Sequence, residues 1–218
     1  KGIGGYHLAC DATDAEAVST LRRRKARNGK PFAVMVPNLA TAARLVDMNA
    51  ALSADLKDRH GQIVLARRRI DGDLRLADGI ADGVADLGLI LPYTPVHVLL
   101  FEDAERALQA IVMTSANRTD EPIVTSDMDA HHRLAGLVDG WLQHDREILT
   151  PCEDSVVRRD GDGIQSVRRS RGYAPLPIDL PVAIAPTLAL GGDLKTTVCL
   201  AAERTAWMSA HIGDISLV

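Results

Sequence analysis

The chain has 218 residues, 46% of them hydrophobic, and a formal net charge of -4, so it can bury one sizeable core but lacks the broad basic surface that bulk nucleic-acid binding needs. Aromatic residues make up only 3% of it, too few for the stacking platforms of single-strand binders. Short apolar runs, no recognisable signal peptide and three cysteines without a CxxC pair predict a cytoplasmic protein with no membrane segment, disulfide framework or metal site.

The first part of the chain predicts a mixture of strands and helices. Asp11–Asp14 supply N-cap chemistry for the first helix, with Glu16 placed as the acid of a capping box. Pro31–Val36 is apolar and predicts a buried strand. The expected elements are a strand at 1–10, a helix at 15–24, a strand at 31–36, helices at 39–48 and 51–60, and a strand at 61–69.

The second part of the chain predicts mostly strands. Two prolines in 87–101 indicate a loop followed by a helix, and 110–124 predicts a short strand that stops at a polar turn. Further strands are expected at 139–148, 155–159 and 164–175. Because strands and helices are mixed without strict alternation, we predict an α/β fold of the α+β-like kind, with a twisted mixed sheet and flanking helices.

The C-terminal part predicts a connector followed by a hairpin. Prolines recur through 176–186 and indicate a semi-extended linker. Gly191–Gly192 lies between two apolar runs, which is typical of a turn. We expect this hairpin, within 187–218, to begin a second domain that is cut short. Because the chain opens on Lys1, directly in strand-like sequence, we also expect it to be a fragment of a longer protein.

Polar side chains end three of the predicted strands or precede them. They are the basic set Lys25, Arg27 and Lys30, the Thr114–Asn117 stretch (TSAN), and the arginines Arg168, Arg169 and Arg171. Ligands of α/β sheets usually bind where adjacent strands end, so these groups are expected to converge. Arginine, lysine, hydroxyl and amide groups together suit a polyphosphate.

Less specific interpretations of the same residues stay open. A basic run between a helix and a strand is often a solvated surface, and TSAN alone is often a plain turn. The chain has no Walker A pattern, and Gly2–Gly5 (GIGG) lacks the spacing of a dinucleotide fingerprint. From the residues alone, the prediction stops at an anion- or nucleotide-binding protein.

Short segments along the whole chain form an ordered set of motifs. In order they are KGIGGYHLACDATDAEAV, RRKARNGKPFAVMV, LPYTPVHVLL, VMTSANRTDEPI, HDREI, CEDSVVR and RRSRGYAP. Together they resemble the YrdC-like domain of the HypF carbamoyltransferases of NiFe-hydrogenase maturation. The terminal LALGGDLKTTVCL and AHIGDI are similar to the opening of the Kae1-like domain of those proteins. The resemblance implies a YrdC/RibB-like sheet over 1–175, a linker at 176–186, and the start of a Kae1-like (ASKHA-type) domain at 187–218.

The resemblance also implies a reaction and its residues. ATP and carbamate, itself derived from carbamoyl phosphate, would give carbamoyl-adenylate and pyrophosphate. The family's KxR…K…SxN pattern is matched by Lys25, Arg27, Lys30, Ser115 and Asn117. It implies that Lys25 and Arg27 are catalytic and hold the small carboxylate-like substrate and the α-phosphate, and that Lys30, Ser115 and Asn117 bind phosphates through Mg²⁺. The residues implied on the nucleotide side are Thr114, Ser155, Arg168, Arg169 and Arg171. We expect Lys25 and Arg27 to be dispensable for the fold.

Parts of that family's pattern lie outside this sequence. The acylphosphatase-like and zinc-finger regions and most of the Kae1-like domain are absent, so zinc and the final carbamoyl transfer to the partner HypE are expected only of a longer protein. An antibiotic O-carbamoyltransferase with the same layout is one alternative. A nucleotide- or RNA-binding module without turnover is another, since double-stranded RNA binding is associated with YrdC domains. The negative net charge and the few aromatic residues count against RNA binding.

Overall fold

The described strands form one seven-stranded sheet and a separate two-stranded hairpin. A computed structural model describes residues 1–102, 108–117, 121–161, 163–192 and 196–212. Within these ranges, none of the helices has the length and apolar character needed to cross a bilayer. The elements are β1 (His7–Asp11), α1 (Ala15–Lys25), β2 (Ala33–Met35), α2 (Leu39–Ala42), α3 (Ala50–Leu56), β3 (Ile63–Arg67), β4 (Asp86–Ile90), α4 (Pro95–Glu102), β5 (Ile111–Ser115), α5 (Asp127–Arg133), β6 (Val156–Asp160), β7 (Gly163–Arg168), β8 (Pro177–Leu190) and β9 (Val198–Met208).

The large sheet has the strand order β1-β5-β2-β4-β3-β6-β7. The β2–β4 and β3–β6 pairs are parallel, and the β1–β5, β2–β5, β3–β4 and β6–β7 pairs are antiparallel. The predicted α/β fold with a mixed sheet is therefore confirmed. In the β1–β5 register His7 stands opposite Ser115, which brings the start of the chain beside the predicted TSAN turn.

Each face of the sheet carries its own buried cluster, because successive side chains of a strand point to opposite faces. In β2, Val34 belongs to the larger cluster, which also contains Val18 and Leu21 of α1. The next residue, Met35, belongs to a smaller cluster on the other face, where Phe101 of α4 packs. We call these the helical face and the second face of the sheet.

Helix α1 begins at an aspartate cap and ends at a reversal of the chain. The Asp14 side chain accepts hydrogen bonds from the backbone N–H of Glu16 and Ala17. Glu16 is thus the second helical residue, and its predicted role in a capping box is wrong, because the residue three positions after the cap is Ala17. At the other end Ala26 takes the left-handed conformation (φ 51°), which turns the chain away from the helix axis toward β2.

Several predicted elements differ from the observed ones. The helix expected at 39–48 is the short α2, because the following backbone leaves the helix and Val46 bridges to Arg68 beside β3. The expected 87–90 loop is most of β4, and α5 was not foreseen. The strand expected at 139–148 is wrong: this segment has no strand, and its backbone instead packs on the chain start, where Leu142 accepts a hydrogen bond from the N-terminal amine of Lys1.

The predicted linker at 176–186 forms most of strand β8 and pairs with β9. The pairing register shifts between Asp179 and Ile184 and again between Ile184 and Thr187. Pro181 and Pro186 fall within these two irregular stretches, where a residue without an N–H does least harm to a ladder. The hairpin therefore starts near residue 177 rather than 187, and its turn includes Gly191–Gly192 as predicted.

Candidate functional site

A cavity of about 510 Å³ opens on the second face of the sheet. Its volume lies in the range of small-molecule sites, which are typically roughly 300–1,000 Å³. The floor consists of small or apolar strand residues: Ala33, Ile63, Leu65, Gly88, Met113 and Val156. The polar residues that line it are His7, Arg27, Thr114, Ser115, Asp86, Glu153, Asp154 and Arg168. One cavity thus combines an apolar floor with a charged rim.

Gly88 keeps the floor of this cavity open. A Cβ at this position would come within 3.0 Å of Ile63 Cγ2 and 3.5 Å of Leu65 Cδ2. Across the β2–β4 ladder, Gly88 stands opposite Ala33, another small residue. Two small residues on adjacent strands leave room above the sheet for a flat group.

Lys25 joins the end of α1 to the end of β5. Its Nζ donates hydrogen bonds to the carbonyl oxygen of Ser115 at 2.6 Å, the carbonyl oxygen of Asn117 at 2.7 Å and the Asn117 Oδ1 at 2.8 Å. Ser115 Oγ donates to the same Asn117 Oδ1 at 2.8 Å. An ammonium group has three N–H donors, so in this structure all of them are matched by these acceptors. Lys25 therefore positions the turn that carries Ser115 and Asn117.

Arg27 lies beside this turn and faces the cavity. Its Nη2 donates to the Pro31 carbonyl at 2.7 Å, and its guanidinium lies 5.0 Å from the centre of the Phe32 ring. Its Nη1 is 3.5 Å from Thr114 Oγ1. These contacts hold the guanidinium in place, with its charge at the rim of the cavity.

Burial and neighbouring cations both lower the pKa values of Lys25 and Arg27, and burial is the larger cause. Burial, followed by the nearby charge of Arg27, lowers the pKa of the Lys25 amine to about 8. Burial, followed by the charges of Arg22 and Arg168, lowers the pKa of Arg27 as well. Glu153 acts in the opposite direction on both. The cations are thus held close together beside the Ser115 end of the cavity, where an anionic group of a ligand could pair with them.

Lys30, Arg169 and Ser155, which the sequence predicts as site residues, do not line the cavity. The Lys30 side chain is exposed, and it is the Lys30 carbonyl that accepts hydrogen bonds from Arg22 and Arg27. Arg169 donates to the Leu176 carbonyl near the start of β8. Ser155 is fully buried, where its Oγ accepts from the Ser170 N–H and donates to the Arg171 carbonyl.

Of the three predicted arginines, only Arg168 lines the cavity. Its Nε donates to the Asp154 carbonyl at 2.7 Å, and its Nη1 pairs with Glu153. Arg171 is instead almost buried, pairs with the Asp154 carboxylate at 2.7 Å and lies 3.7 Å from the Tyr93 ring centre. Arg171 thus supports the wall of the cavity from behind.

The segment Cys152–Asp154 forms a wall that the sequence prediction missed. The Cys152 N–H donates to the Gly4 carbonyl before β1, and Asp154 lies two residues before the start of β6. Glu153 and Asp154 both line the cavity, so this segment forms part of its wall. The sequence does contain a signal for this segment: in CEDSVV two consecutive acids precede an apolar strand. The cations before β2 were predicted as site residues from the same kind of pattern, charged residues next to an apolar strand.

Asp154 is the hub of a nearly buried polar network. Its carboxylate lies 3.3 Å from His7 Nε2 and accepts a hydrogen bond from the Tyr93 hydroxyl at 3.2 Å, besides its pair with Arg171. Burial alone would raise the pKa of Asp154, but the His7 hydrogen bond and the charges of His7 and Arg171 hold it below its ordinary value. His7 lines the cavity opposite Ser115 and was not predicted as a site residue.

The glycines of the GIGG stretch allow this wall to close. A Cβ on Gly4 would overlap Cys152, and a Cβ on Gly5 would overlap Ile123. A Cβ on Gly2 would come within 2.7 Å of His7 Nδ1. Close packing, and not a dinucleotide fingerprint, explains these glycines.

Comparison with known proteins identifies relatives of both parts of the chain. A family model described as "Telomere recombination", covering Sua5, YciO and YrdC, matches residues 1–170, and the HypF Kae1-like domain matches 183–218. Carbamoyltransferase HypF2 of Cupriavidus necator is 48% identical over 99% of this chain and 28% of the relative. Carbamoyltransferase HypF of Rhizobium leguminosarum bv. viciae is 40% identical with the same coverage. The chain thus spans about 28% of the length of the curated relatives it matches.

Solved structures agree with these matches. Full-length HypF in a phosphate- and nucleotide-bound form superposes with a TM-score of 0.89 and 41% identity, covering 99% of this chain and 33% of that one. Sua5 of P. abyssi in complex with L-threonine has a TM-score of 0.64 and 17% identity over 77% of this chain and 48% of that one, which shows the shared fold alone. The predicted resemblance to a YrdC-like domain followed by Kae1-like sequence, as in HypF, is confirmed. Because the matching model covers most of its length, the chain belongs to the Sua5, YciO and YrdC family.

Proposed function

We propose that this chain binds ATP in the cavity on the second face and forms carbamoyl-adenylate from ATP and carbamate. The observation that carries the proposal is one cavity with an apolar floor, flanked by Arg27, Arg168 and the Lys25–Ser115–Asn117 turn. An apolar floor suits a purine ring, and a cationic rim suits a polyphosphate. The relative solved in a nucleotide-bound form, with 41% identity, supports the same assignment.

In the proposed reaction an oxygen of carbamate attacks the α-phosphorus of ATP. A new bond forms between that oxygen and the α-phosphorus, while the bond to the bridging oxygen of pyrophosphate breaks and its electron pair leaves with pyrophosphate. Two anions must approach each other, so the main requirements are positioning and stabilisation of negative charge. Arg27 and Arg168 supply charge at the rim, and Ser115 supplies a hydroxyl. Lys25 contributes its charge from behind the turn.

The protein groups fit Mg²⁺ only if it arrives with ATP. Among the residues that the structure describes, no three or more His, Cys, Asp or Glu side chains are grouped as a metal cage. Of the carboxylates that line the cavity, Glu153 is paired with Arg168 and Asp154 with Arg171. Mg²⁺ is commonly held by substrate phosphates and water with few protein ligands, which suits this site. When bound, the ion would offset the phosphate charge.

The wider role follows from the longer HypF relatives. We propose that the adenylate formed here serves a carbamoyltransferase whose remaining domains make carbamate from carbamoyl phosphate and pass the carbamoyl group to HypE. The Kae1-like match at 183–218 supports this placement, since it joins the two parts in one chain.

Calorimetric titration with Mg-ATP tests nucleotide binding. We expect Arg27→Ala to weaken binding by about tenfold or more, because it removes a held charge from the rim. Ser115→Ala should weaken it less. Arg23→Ala is the matched control, since Arg23 is exposed in the last turn of α1, and its side chain hydrogen bonds only to Thr20 among its described partners.

Carbamate-dependent exchange of labelled pyrophosphate into ATP then tests the chemistry. The wild-type chain should exchange label only when carbamate is present. Nucleotide binding without exchange would favour the non-catalytic binding module, and no nucleotide binding by the wild type would contradict the proposal altogether.

A further inference from the structure

Glu153 is an acid placed among the cations of the cavity. It lines the cavity with Arg27 and Arg168, and its residue is only 7% exposed. One carboxylate oxygen, Oε2, pairs with Arg168. Its negative charge also acts on Lys25 and Arg27, where it favours the protonated forms. In this structure Glu153 is therefore an internal counter-ion for the rim cations.

The other carboxylate oxygen of Glu153, Oε1, is in contact with a residue at the end of the hairpin. His211, which follows β9, has its Nε2 3.2 Å from Glu153 Oε1, and its side chain is 19% exposed. The backbone around it is held by the hairpin, since Ser209 N–H donates to the Val198 carbonyl and Ile212 N–H donates to the Thr196 carbonyl. Glu153 lies in the part matched by the Sua5, YciO and YrdC model, and His211 lies in the part matched by the Kae1-like model.

A polyanionic ligand would meet a like charge at this wall. At close range in a partly buried site, repulsion between two negative charges costs far more than in bulk water. The repulsion between the ligand and Glu153 is weaker if a hydrogen-bond donor or a cation on the outer side of the carboxylate compensates its negative charge. His211 is placed to be that group, because it approaches the oxygen that Arg168 does not pair with.

We propose that the Glu153–His211 pair sets the affinity of the cavity for polyanions. Glu153 competes with the incoming phosphates for the rim cations, and His211 offsets Glu153, so the hairpin strengthens binding from outside the sheet. This inference rests on the proposed function, in that the ligand is a nucleotide or pyrophosphate. His211 acts through Glu153 and is a positioning residue.

A double-mutant cycle with inorganic pyrophosphate as the probe tests the pair. Glu153→Gln removes the negative charge at nearly constant size, and we expect it to tighten pyrophosphate binding by about tenfold. His211→Ala should weaken binding by about threefold or more in the wild-type background. In the Glu153→Gln background the same substitution should have no effect, because there is no charge left to offset.

Matched controls separate this effect from general changes in charge. Glu147→Gln and His132→Gln change the same residue types at exposed positions, and both should leave pyrophosphate affinity unchanged. Thermal unfolding of each variant checks the fold. The His211 variants should retain the fold more readily than the Glu153 variant, because His211 belongs to neither buried cluster of the sheet.

Three results would overturn the inference: unchanged affinity in Glu153→Gln, unchanged affinity in His211→Ala, or equal effects of His211→Ala in both backgrounds. These outcomes leave nucleotide binding by the wild type intact, so they are distinct from a failure of the proposed function. If neither the wild type nor Glu153→Gln binds pyrophosphate or Mg-ATP, both proposals fail together.

Discussion

Lys25 combines a structural role with an electrostatic one. Its ammonium group is held between the end of α1 and the Ser115–Asn117 turn, and the residue is only 4% exposed. These contacts argue against the expectation that Lys25 is dispensable for the fold, because its removal would leave buried acceptors without a donor. The charge that attracts anions is the same charge that holds the turn.

The lowered pKa of Lys25 predicts how nucleotide binding depends on pH. The amine loses its proton above about pH 8 in the free protein, whereas bound phosphates favour the charged form. Above that pH, Lys25 must take up a proton when the nucleotide binds, so the affinity for Mg-ATP should fall by up to about tenfold per pH unit. Titration calorimetry between pH 7.5 and 9.5 measures this.

The control for this pH dependence is Lys25→Met, which should bind weakly at every pH. The free energy of unfolding should rise with pH over the range in which the affinity for Mg-ATP falls. Between pH 8 and the ordinary lysine value near 10.5 the unfolded chain holds more protons at this site, so raising the pH favours the native state. Constant affinity across the titrated range would mean that the Lys25 charge does not act on the ligand.

The residue-level prediction succeeded where side chains at strand ends share a turn. Lys25, Ser115 and Asn117 were expected to converge, and the structure brings them together. The arginines after β7 could not be separated by pattern alone. Arg168 faces the cavity, whereas Arg171 turns behind the wall to pair with Asp154, a residue reached only through the tertiary fold.

At the scale of elements, the Cys152–Asp154 segment depends on one buried carboxylate. Asp154 pairs with Arg171, whose side chain is 11% exposed, and also contacts His7 and Tyr93. Breaking a buried pair by removing one partner leaves the other charge without compensation.

Asp154→Asn is therefore expected to lower the free energy of unfolding by about 3 kcal/mol or more. Chemical denaturation followed by circular dichroism measures the loss. Asp129→Asn on the exposed side of α5 is the control and should change stability little. If the two variants are equally stable, the Asp154 network fixes the conformation of the Cys152–Asp154 segment but does not stabilise the fold.

Element prediction failed where tertiary pairing overrode local pattern. Prolines in 87–101 were taken to indicate a loop before the helix, but Leu87 and Leu89 are buried in β4 between β2 and β3. Prolines likewise suggested a linker where β8 forms, because the hairpin accommodates them in its irregular stretches. In both segments, pairing with other strands determined the observed structure, and the local sequence pattern did not show that pairing.

At the scale of the whole molecule, the hairpin is separate from the core of the sheet. Among the described strands, β8 pairs only with β9. Neither buried cluster of the sheet contains a residue of the hairpin. The predicted domain boundary near residue 175 therefore remains a proposal that a shortened chain can test.

A chain that ends at residue 176 should fold cooperatively without the hairpin, because both clusters of the sheet are complete in it. Circular dichroism and thermal unfolding would check this. The shortened chain should bind pyrophosphate more weakly than the wild type, since it lacks His211. An unfolded product would mean that the hairpin belongs to the same folding unit as the sheet.

The glycines at the start of the chain have a consequence for genetics. Gly4 has no space for a side chain, since any Cβ would overlap Cys152. A random alanine there would displace the segment that carries Glu153 and Asp154 without touching a ligand. In a screen for lost activity such a mutant would be grouped with the mutants of the cavity cations, although Gly4 is far along the chain from Glu153 and Arg168. Inactive alleles at Gly2, Gly4 and Gly5 would then map the wall of the cavity, and not a further binding motif.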